Sequence, residues 1–244
     1  MIYEFCGKEL PRKDAFGISV PVPCTCEGAV RERERLDLEE RRENWRETCA
    51  AAIRQANIPS DYGAYRKWGD GESLYLYGEQ GRGKTEMACG ALRKWIMDGI
   101  EPFTDERGRD TKRFYAKNSG KYVLMPKWVM EVKASFSSNL TTEDDLVSRL
   151  AGVGMLVMDD LGKGKMTDWV VEKIYLILEL RTQEMKTKNL RTIITTQYPI
   201  EQLTSIFEGV TDKKMASAIR SRIEGMCEKK FVGGPDRRVA GVVQ

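Results

Sequence analysis

The run Gly78-Glu79-Gln80-Gly81-Arg82-Gly83-Lys84-Thr85 follows the apolar stretch Ser73 to Tyr77 and opens a helical pattern. Its order is that of a phosphate-binding loop, G-x-x-x-x-G-K-[ST]. Gly78, Gly81 and Gly83 let backbone N–H groups curl around phosphates. Lys84 reaches β/γ oxygens, and the Thr85 hydroxyl holds Mg²⁺. The helix that follows adds its positive N-terminal end. The chemistry implied is binding of a nucleoside triphosphate with Mg²⁺.

A second element of such a site stands at Asp159-Asp160, where the buried-strand pattern Val153 to Met158 ends. Carboxylates at the carboxyl end of a central strand emerge beside a phosphate loop. Asp159 suits the Mg²⁺ shell, and Asp160 suits orientation of the water that attacks the γ-phosphoryl group. The strand Thr192 to Thr196 ends at Gln197, whose amide reads either as a γ-phosphate sensor or as a satisfied loop side chain. Arg220 and Arg222 sit on nearly opposite faces of a helix. Each reads as a surface ion pair or as a guanidinium offered in trans to a neighbouring subunit's nucleotide.

The elements that must position these groups alternate in the manner of a parallel sheet covered on both faces. Strands are predicted at Leu74–Tyr77, Tyr122–Met125, Val153–Met158, Arg191–Thr196 and Met226–Val232. Helices are predicted at Lys84–Ile100, Pro126–Ser137, Thr142–Ala151, Trp169–Lys186, Ile200–Phe207 and Lys213–Ile223. Glu101–Lys121 reads as a mobile excursion, and the tail after Gly234 as frayed. Upstream, the segment to about Gly28 is rich in Pro, Gly and Cys and reads as a small knuckle. A charged helix follows from Arg31 to Ala56, with Leu38, Trp45, Cys49, Ile53 and Ala56 as its apolar stripe, and Pro59 ends it.

Composition narrows the function classes. The chain of 244 residues contains no histidine, which excludes His-based acid–base catalysis, His-metal sites and Ser-His-Asp triads. Lys+Arg 40 against Asp+Glu 37 leaves +3, so any nucleic-acid contact has to be a local patch. No run of about 18 apolar residues appears, and no leader pattern opens the chain, so the expectation is a cytoplasmic protein without a membrane partner. Six cysteines do not form a secreted disulfide framework. Cys49, Cys89 and Cys227 read as core.

Asn57-Ile58-Pro59, Leu76-Tyr77-Gly78 with GRGKT, Val157-Met158-Asp159-Asp160-Leu161-Gly162, Thr195-Thr196-Gln197-Tyr198 and Ser221-Arg222-Ile223 together resemble the DnaC/DnaI-type helicase loaders of bacteria and phages, and extend to IstB-type transposition ATPases. Asp-Asp-Leu-Gly is the most specific element, since most AAA+ proteins carry Asp-Glu there. The resemblance covers about Asn57 to Arg238. It implies an α/β AAA+ P-loop ATPase domain over 57–244 with a five-stranded parallel sheet and no obvious helical lid. An N-terminal helicase-interaction region over 1–56 precedes it. Carried over, the Mg²⁺-site carboxylate falls on Asp159, the catalytic carboxylate on Asp160 and the arginine finger on Arg222, with Arg220 in reserve. The family's sensor is Asn where this chain has Gln197.

Loaders of this type often begin with a small zinc-binding region. Cys6, Cys24 and Cys26 resemble its C-x-C…C-x-C ligands, with Glu4 in place of the first cysteine. The implied activity is ATP-dependent placement of the replicative hexameric DNA helicase on single-stranded DNA, with self-association through the AAA+ domain. Candidate DNA contacts are Lys112, Arg113, Phe114, Tyr115 and Lys117, and the basic helix carrying Lys127, Trp128 and Lys133. Two other classes stay open. One is an IstB-like ATPase that binds duplex DNA and recruits a transposase. The other is a nucleotide-switched interaction module with negligible turnover.

Overall fold

In the computed structural model the described residues are 12–15, 18–62, 72–135 and 143–237. Two compact units are formed, Met1–Thr48 with Glu101–Tyr115, and Cys49–Ile100 with Ala116–Gln244.

Strict alternation along the strands builds the larger unit. Five of them, β3 (Leu74–Tyr77), β6 (Gly120–Leu124), β7 (Met155–Asp159), β8 (Arg191–Thr196) and β9 (Glu228–Phe231), pair in parallel in the order β6-β7-β8-β3-β9. Side chains at successive positions leave opposite faces of a strand. Accordingly Tyr75, Leu156, Met158 and Ile194 enter one buried cluster, whereas Leu74, Leu76, Met155, Val157 and Ile193 enter the other. The first cluster is closed by α3 (Met125–Ser135), α4 (Glu143–Ala151), α5 (Asp168–Lys188), α6 (Ile200–Glu208) and α7 (Lys213–Met226). The second is closed by α2 (Lys84–Asp98) and the segment around Ala56 and Ile58. Numbered within this sheet alone, the strands run 5-1-4-3-2, the five-stranded parallel α/β arrangement expected from the sequence.

Register brings the functional end together. Leu124 pairs with Asp159, Met158 with Ile194, and Tyr77 with both Thr196 and Phe231. The carboxyl ends of all five strands therefore share one edge, and the loop after β3 opens there.

One buried cation organises the opposite edge. Arg181 is fully buried on α5, and Val170, Ile174, Ile177 and Leu178 share its stripe. Its guanidinium donates to the carbonyls of Leu150 (3.2 Å), Ala151 (3.0 Å), Val153 (2.8 Å) and Arg191 (2.5 Å), and its Nε to Thr192 Oγ1 (2.8 Å). It thus caps the last turn of α4 and ties the entries of β7 and β8. Burial pulls its pKa down to about 10, still charged at neutral pH.

The smaller unit departs from expectation. The N-terminal region contains a hairpin of β1 (Arg12–Ala15) and β2 (Ile18–Pro21), in register from Arg12–Pro21 to Ala15–Ile18. Helix α1 spans Glu27–Gln55, beginning before Arg31, and carries Arg35 paired with Glu39 at 2.6 Å and with Glu32. Leu38 is about half exposed, so it is not part of an apolar stripe. Glu101–Lys121 is not an excursion without structure. β4 (Ile100–Thr104) and β5 (Asp110–Ala116) pair as a two-stranded ribbon. Its strength lies in polar contacts that periodicity does not register. Asp105 Oδ1 accepts from the N–H groups of Arg107 and Arg109, both at 2.9 Å, in the turn. On α1, Asn44 donates to the Lys112 carbonyl at 3.0 Å, and Glu40 pairs with Lys112 at 2.8 Å.

Of the tail expected to be frayed after Gly234, residues 238–244 lie outside the described residues. Residues to Arg237 lie against the phosphate loop, and the Arg237 N–H donates to the Gly81 carbonyl at 2.9 Å. Cys49, Cys89 and Cys227 are buried, and burial pushes the Cys89 thiol up to about 12. Among the described residues no helix is long and apolar enough to cross a membrane.

Candidate nucleotide site

The chain turns sharply after β3 because Gly78, Gly81 and Gly83 take φ of 140°, 72° and 87°, a region that side chains rarely enter. A Cβ on Gly78 would fall 2.5 Å from the Val232 carbonyl oxygen. Lys84, nearly buried, curls back over the loop and donates to the carbonyls of Gly78 (2.7 Å) and Glu79 (2.6 Å). Gly83 is the N-cap of α2 and offers no side-chain cap, so the first-turn N–H groups stay available to an anion.

Asp159 is the last residue of β7 and is buried. Its Oδ1 accepts from Thr85 (2.9 Å) and Thr195 (2.5 Å), and its Oδ2 from the Tyr122 hydroxyl (2.7 Å). Asp160 follows with φ of 58°, a left-handed conformation that Asp tolerates. Its N–H donates to Thr195 Oγ1 at 3.0 Å, and its carboxylate pairs with Lys163 at 3.0 Å. Together with Lys84 and Thr85 these two aspartates line a cleft of about 350 Å³. The donor set fits a nucleoside triphosphate with Mg²⁺: glycine amides and Lys84 for phosphates, a hydroxyl and a carboxylate already in contact for the metal.

Burial pushes the Asp159 carboxyl above the ordinary aspartate range. The hydrogen bonds from Thr195, Tyr122 and Thr85 oppose that rise, and the charge of Asp160 adds to it. A carboxyl with a raised folded-state pKa contributes stability in acid that is lost as pH climbs through the raised value, so its ionised form burdens the fold at neutral pH. Asp159→Asn is therefore expected to raise the melting temperature at pH 7 by a few degrees. Its Oδ1 can keep both threonine donors while Nδ2 donates to Tyr122. The gain should vanish below about pH 3.8, the ordinary aspartate value. Thermal melts across pH check this, and a variant melting lower at pH 7 contradicts it.

Other expected residues fall elsewhere. Gln197 lines an adjoining cavity of about 380 Å³ with Tyr77, Gly78 and Phe231, sharing Arg82 with the first. Arg222 is among the lining residues of neither. It lies on α7, ion-paired with Glu179 of α5, donating to the Tyr175 hydroxyl at 3.2 Å and stacked 4.7 Å from that ring's centre. Arg220 pairs with Glu224 (3.3 Å) and Glu201 (3.4 Å). Cys6 lies outside the described residues. Cys24 and Cys26 stand half-buried before α1, the Cys26 N–H pointing at Cys24 Sγ at 3.4 Å. Among the described residues no group of three or more His, Cys, Asp or Glu could hold a metal ion.

Of the candidate DNA contacts, Trp128 is corrected. It is 3% exposed within the core, because α3 turns that face onto the sheet. Lys112 is engaged by Asp37 and Glu40. Tyr122, Thr195 and Lys163, which hold the two aspartates, are not legible as site residues. The one available signal is the set of hydroxyls inside the otherwise apolar strand Thr192–Thr196.

The strand order and this cleft define an α/β protein with a phosphate-binding turn of the P-loop type. The chain is 24% identical over 179 residues to the replicative helicase loader DnaI of Bacillus subtilis (strain 168), a match covering 72% of this chain and 50% of that protein. It thus spans about half the length of the curated relative it matches. Among solved structures, it is similar to the crystal structure of DnaI, with 22% identity, TM-score 0.49, and 78% and 84% of the two chains covered. The DnaC helicase loader gives 21%, 0.48, and 67% and 79%. No protein-family model matches the chain.

Proposed function

We propose that this protein is a Mg²⁺-dependent ATPase that loads the replicative hexameric DNA helicase onto single-stranded DNA in the cytoplasm. The observation that carries the ATPase reading is the 2.9 Å hydrogen bond joining Thr85 of the phosphate loop to Asp159 of the strand tip. The loader reading is supported by the sequence similarity to DnaI. Thr85 and Asp159 would hold Mg²⁺, which when bound neutralises charge on the phosphates. Tyr122 and Thr195 fix the Asp159 carboxylate for that task. Asp160, anchored by Lys163, orients and polarises the attacking water, and Gln197 reaches toward the γ-phosphate from the adjoining cavity. Arg222 acts in trans when copies assemble, leaving Glu179 for a neighbour's nucleotide. The N-terminal region faces the helicase, with Cys6, Cys24 and Cys26 as ligands of a structural zinc.

A pulldown from host extract tests the loader reading. Recovery of the hexameric helicase is the expected result; filaments on duplex DNA without helicase overturn it in favour of a transposition ATPase. For the chemistry, Asp160→Asn keeps the left-handed backbone and is expected to leave ATP affinity within about twofold while lowering turnover about 100-fold. Phosphate-release kinetics beside a binding titration check this, and undiminished turnover removes Asp160 from the reaction.

A further inference from the structure

The turn after β7 is fixed without the side chain of Lys163. Asp160, Gly162 and Gly164 take φ of 58°, 86° and 89°. The Leu161 N–H donates to the Thr195 carbonyl at 2.9 Å, the Lys163 N–H to the Asp160 carbonyl at 3.2 Å, and Thr196 Oγ1 to the Leu161 carbonyl at 2.6 Å. A Cβ on Gly162 would fall 2.6 Å from Leu203 Cδ1, so the turn is seated closely on α6. Lys163 thus stands at a set place between two glycines, and its side chain reaches back to the cleft. There it joins Lys84, Thr85 and Asp159 in the lining, with Nζ 3.0 Å from the Asp160 carboxylate.

An ammonium at this place has little to do for the fold, since the Lys163 side chain is 47% exposed and an exposed ion pair contributes little stability. It has three donors, of which the Asp160 carboxylate oxygen takes one. The other two serve the cleft that the side chain lines. If Asp160 directs water at the terminal phosphate of a nucleoside triphosphate, that phosphate lies beside Asp160 and hence beside this ammonium. We infer that Lys163 is a direct ligand of the terminal phosphate, its ammonium bridging that group and the Asp160 carboxylate. A diphosphate lacks the group, so the lysine makes the site discriminate between the two nucleotides. This rests on the reading of the cleft as an ATP site and goes beyond it. A cation from the turn after the acidic strand, not from the phosphate loop, reads the length of the phosphate chain.

Titration of the full chain in Mg²⁺ with a non-hydrolysable ATP analogue and with ADP tests it. Lys163→Ala is expected to weaken the triphosphate about tenfold and the diphosphate by less than about twofold, and Lys163→Arg, which keeps the charge, to recover most of the difference. Screening of Asp160 by the lysine would also favour a triphosphate, so the alanine change is repeated in the Asp160→Asn background. A direct ligand still costs about tenfold there. A loss that disappears with the Asp160 charge overturns the assignment, as does an equal loss for both nucleotides. If Lys84→Ala abolishes binding of both while Lys163→Ala leaves their ratio unchanged, the ATP site stands and only the role of Lys163 falls. If the unsubstituted protein binds neither nucleotide, both fall. Equal melting temperatures without nucleotide show that the variants are folded.

Discussion

Lys84→Ala is expected to weaken ATP·Mg²⁺ binding at least about 100-fold, because it removes a nearly buried ammonium whose donors are aimed along the phosphate loop. Hydrogen bonds to charged groups contribute about 1.5–3 kcal/mol each, and more than one is lost. The same change strips a donor from the carbonyls of Gly78 and Glu79, so the loop itself should loosen. Calorimetric titration is the direct measurement, with circular dichroism as the check on folding. Binding within a few-fold of the unsubstituted protein would remove the triphosphate from this cleft, and with it the ATPase reading.

The largest expected effect on stability lies at the other edge of the sheet. Arg181→Leu keeps the stripe apolar yet leaves the carbonyls of Leu150, Ala151, Val153 and Arg191 without their shared donor. Stranding several buried acceptors costs about 3–5 kcal/mol, which for a chain of this size corresponds to a melting temperature lower by roughly 10 °C. Arg181→Lys retains the charge but cannot span acceptors on α4, ahead of β7 and on β8 together, so it should recover only a fraction. Urea unfolding at constant m-value measures both variants. A loss below about 1 kcal/mol for the leucine variant would mean that water replaces the guanidinium at these carbonyls.

Arg181 also illustrates what a sequence conveys and what it withholds. The spacing of Ile174, Ile177 and Leu178 puts position 181 on the buried stripe of α5, so a charge there is visible as an anomaly. Its acceptors are not, because they come from chain segments brought near by strand pairing. The phosphate loop and Asp159-Asp160 are legible for the opposite reason: their chemistry is local, written in adjacent residues. Tyr122 reaches Asp159 from a neighbouring strand only because the β6–β7 register sets Leu124 opposite Asp159. Likewise the β4–β5 ribbon depends on side-chain hydrogen bonds in its turn and on α1, which leave no apolar period to read. Trp128 errs in the other direction. Its neighbours Lys127 and Lys133 suggest a basic surface, yet a helix buries one side whatever the charges beside it.

The outer margin of β9 limits how two copies of this chain could pair. Glu228-Lys229-Lys230-Phe231 is exposed along its whole length and, among the described residues, pairs on one side only, with β3. Two such margins laid together would oppose like-charged lysines, a known deterrent to edge-to-edge joining and to fibril growth. Any contact between copies would thereby be steered to side-chain surfaces rather than to a continuous ladder of backbone bonds. An association of that kind would come apart without unravelling either copy.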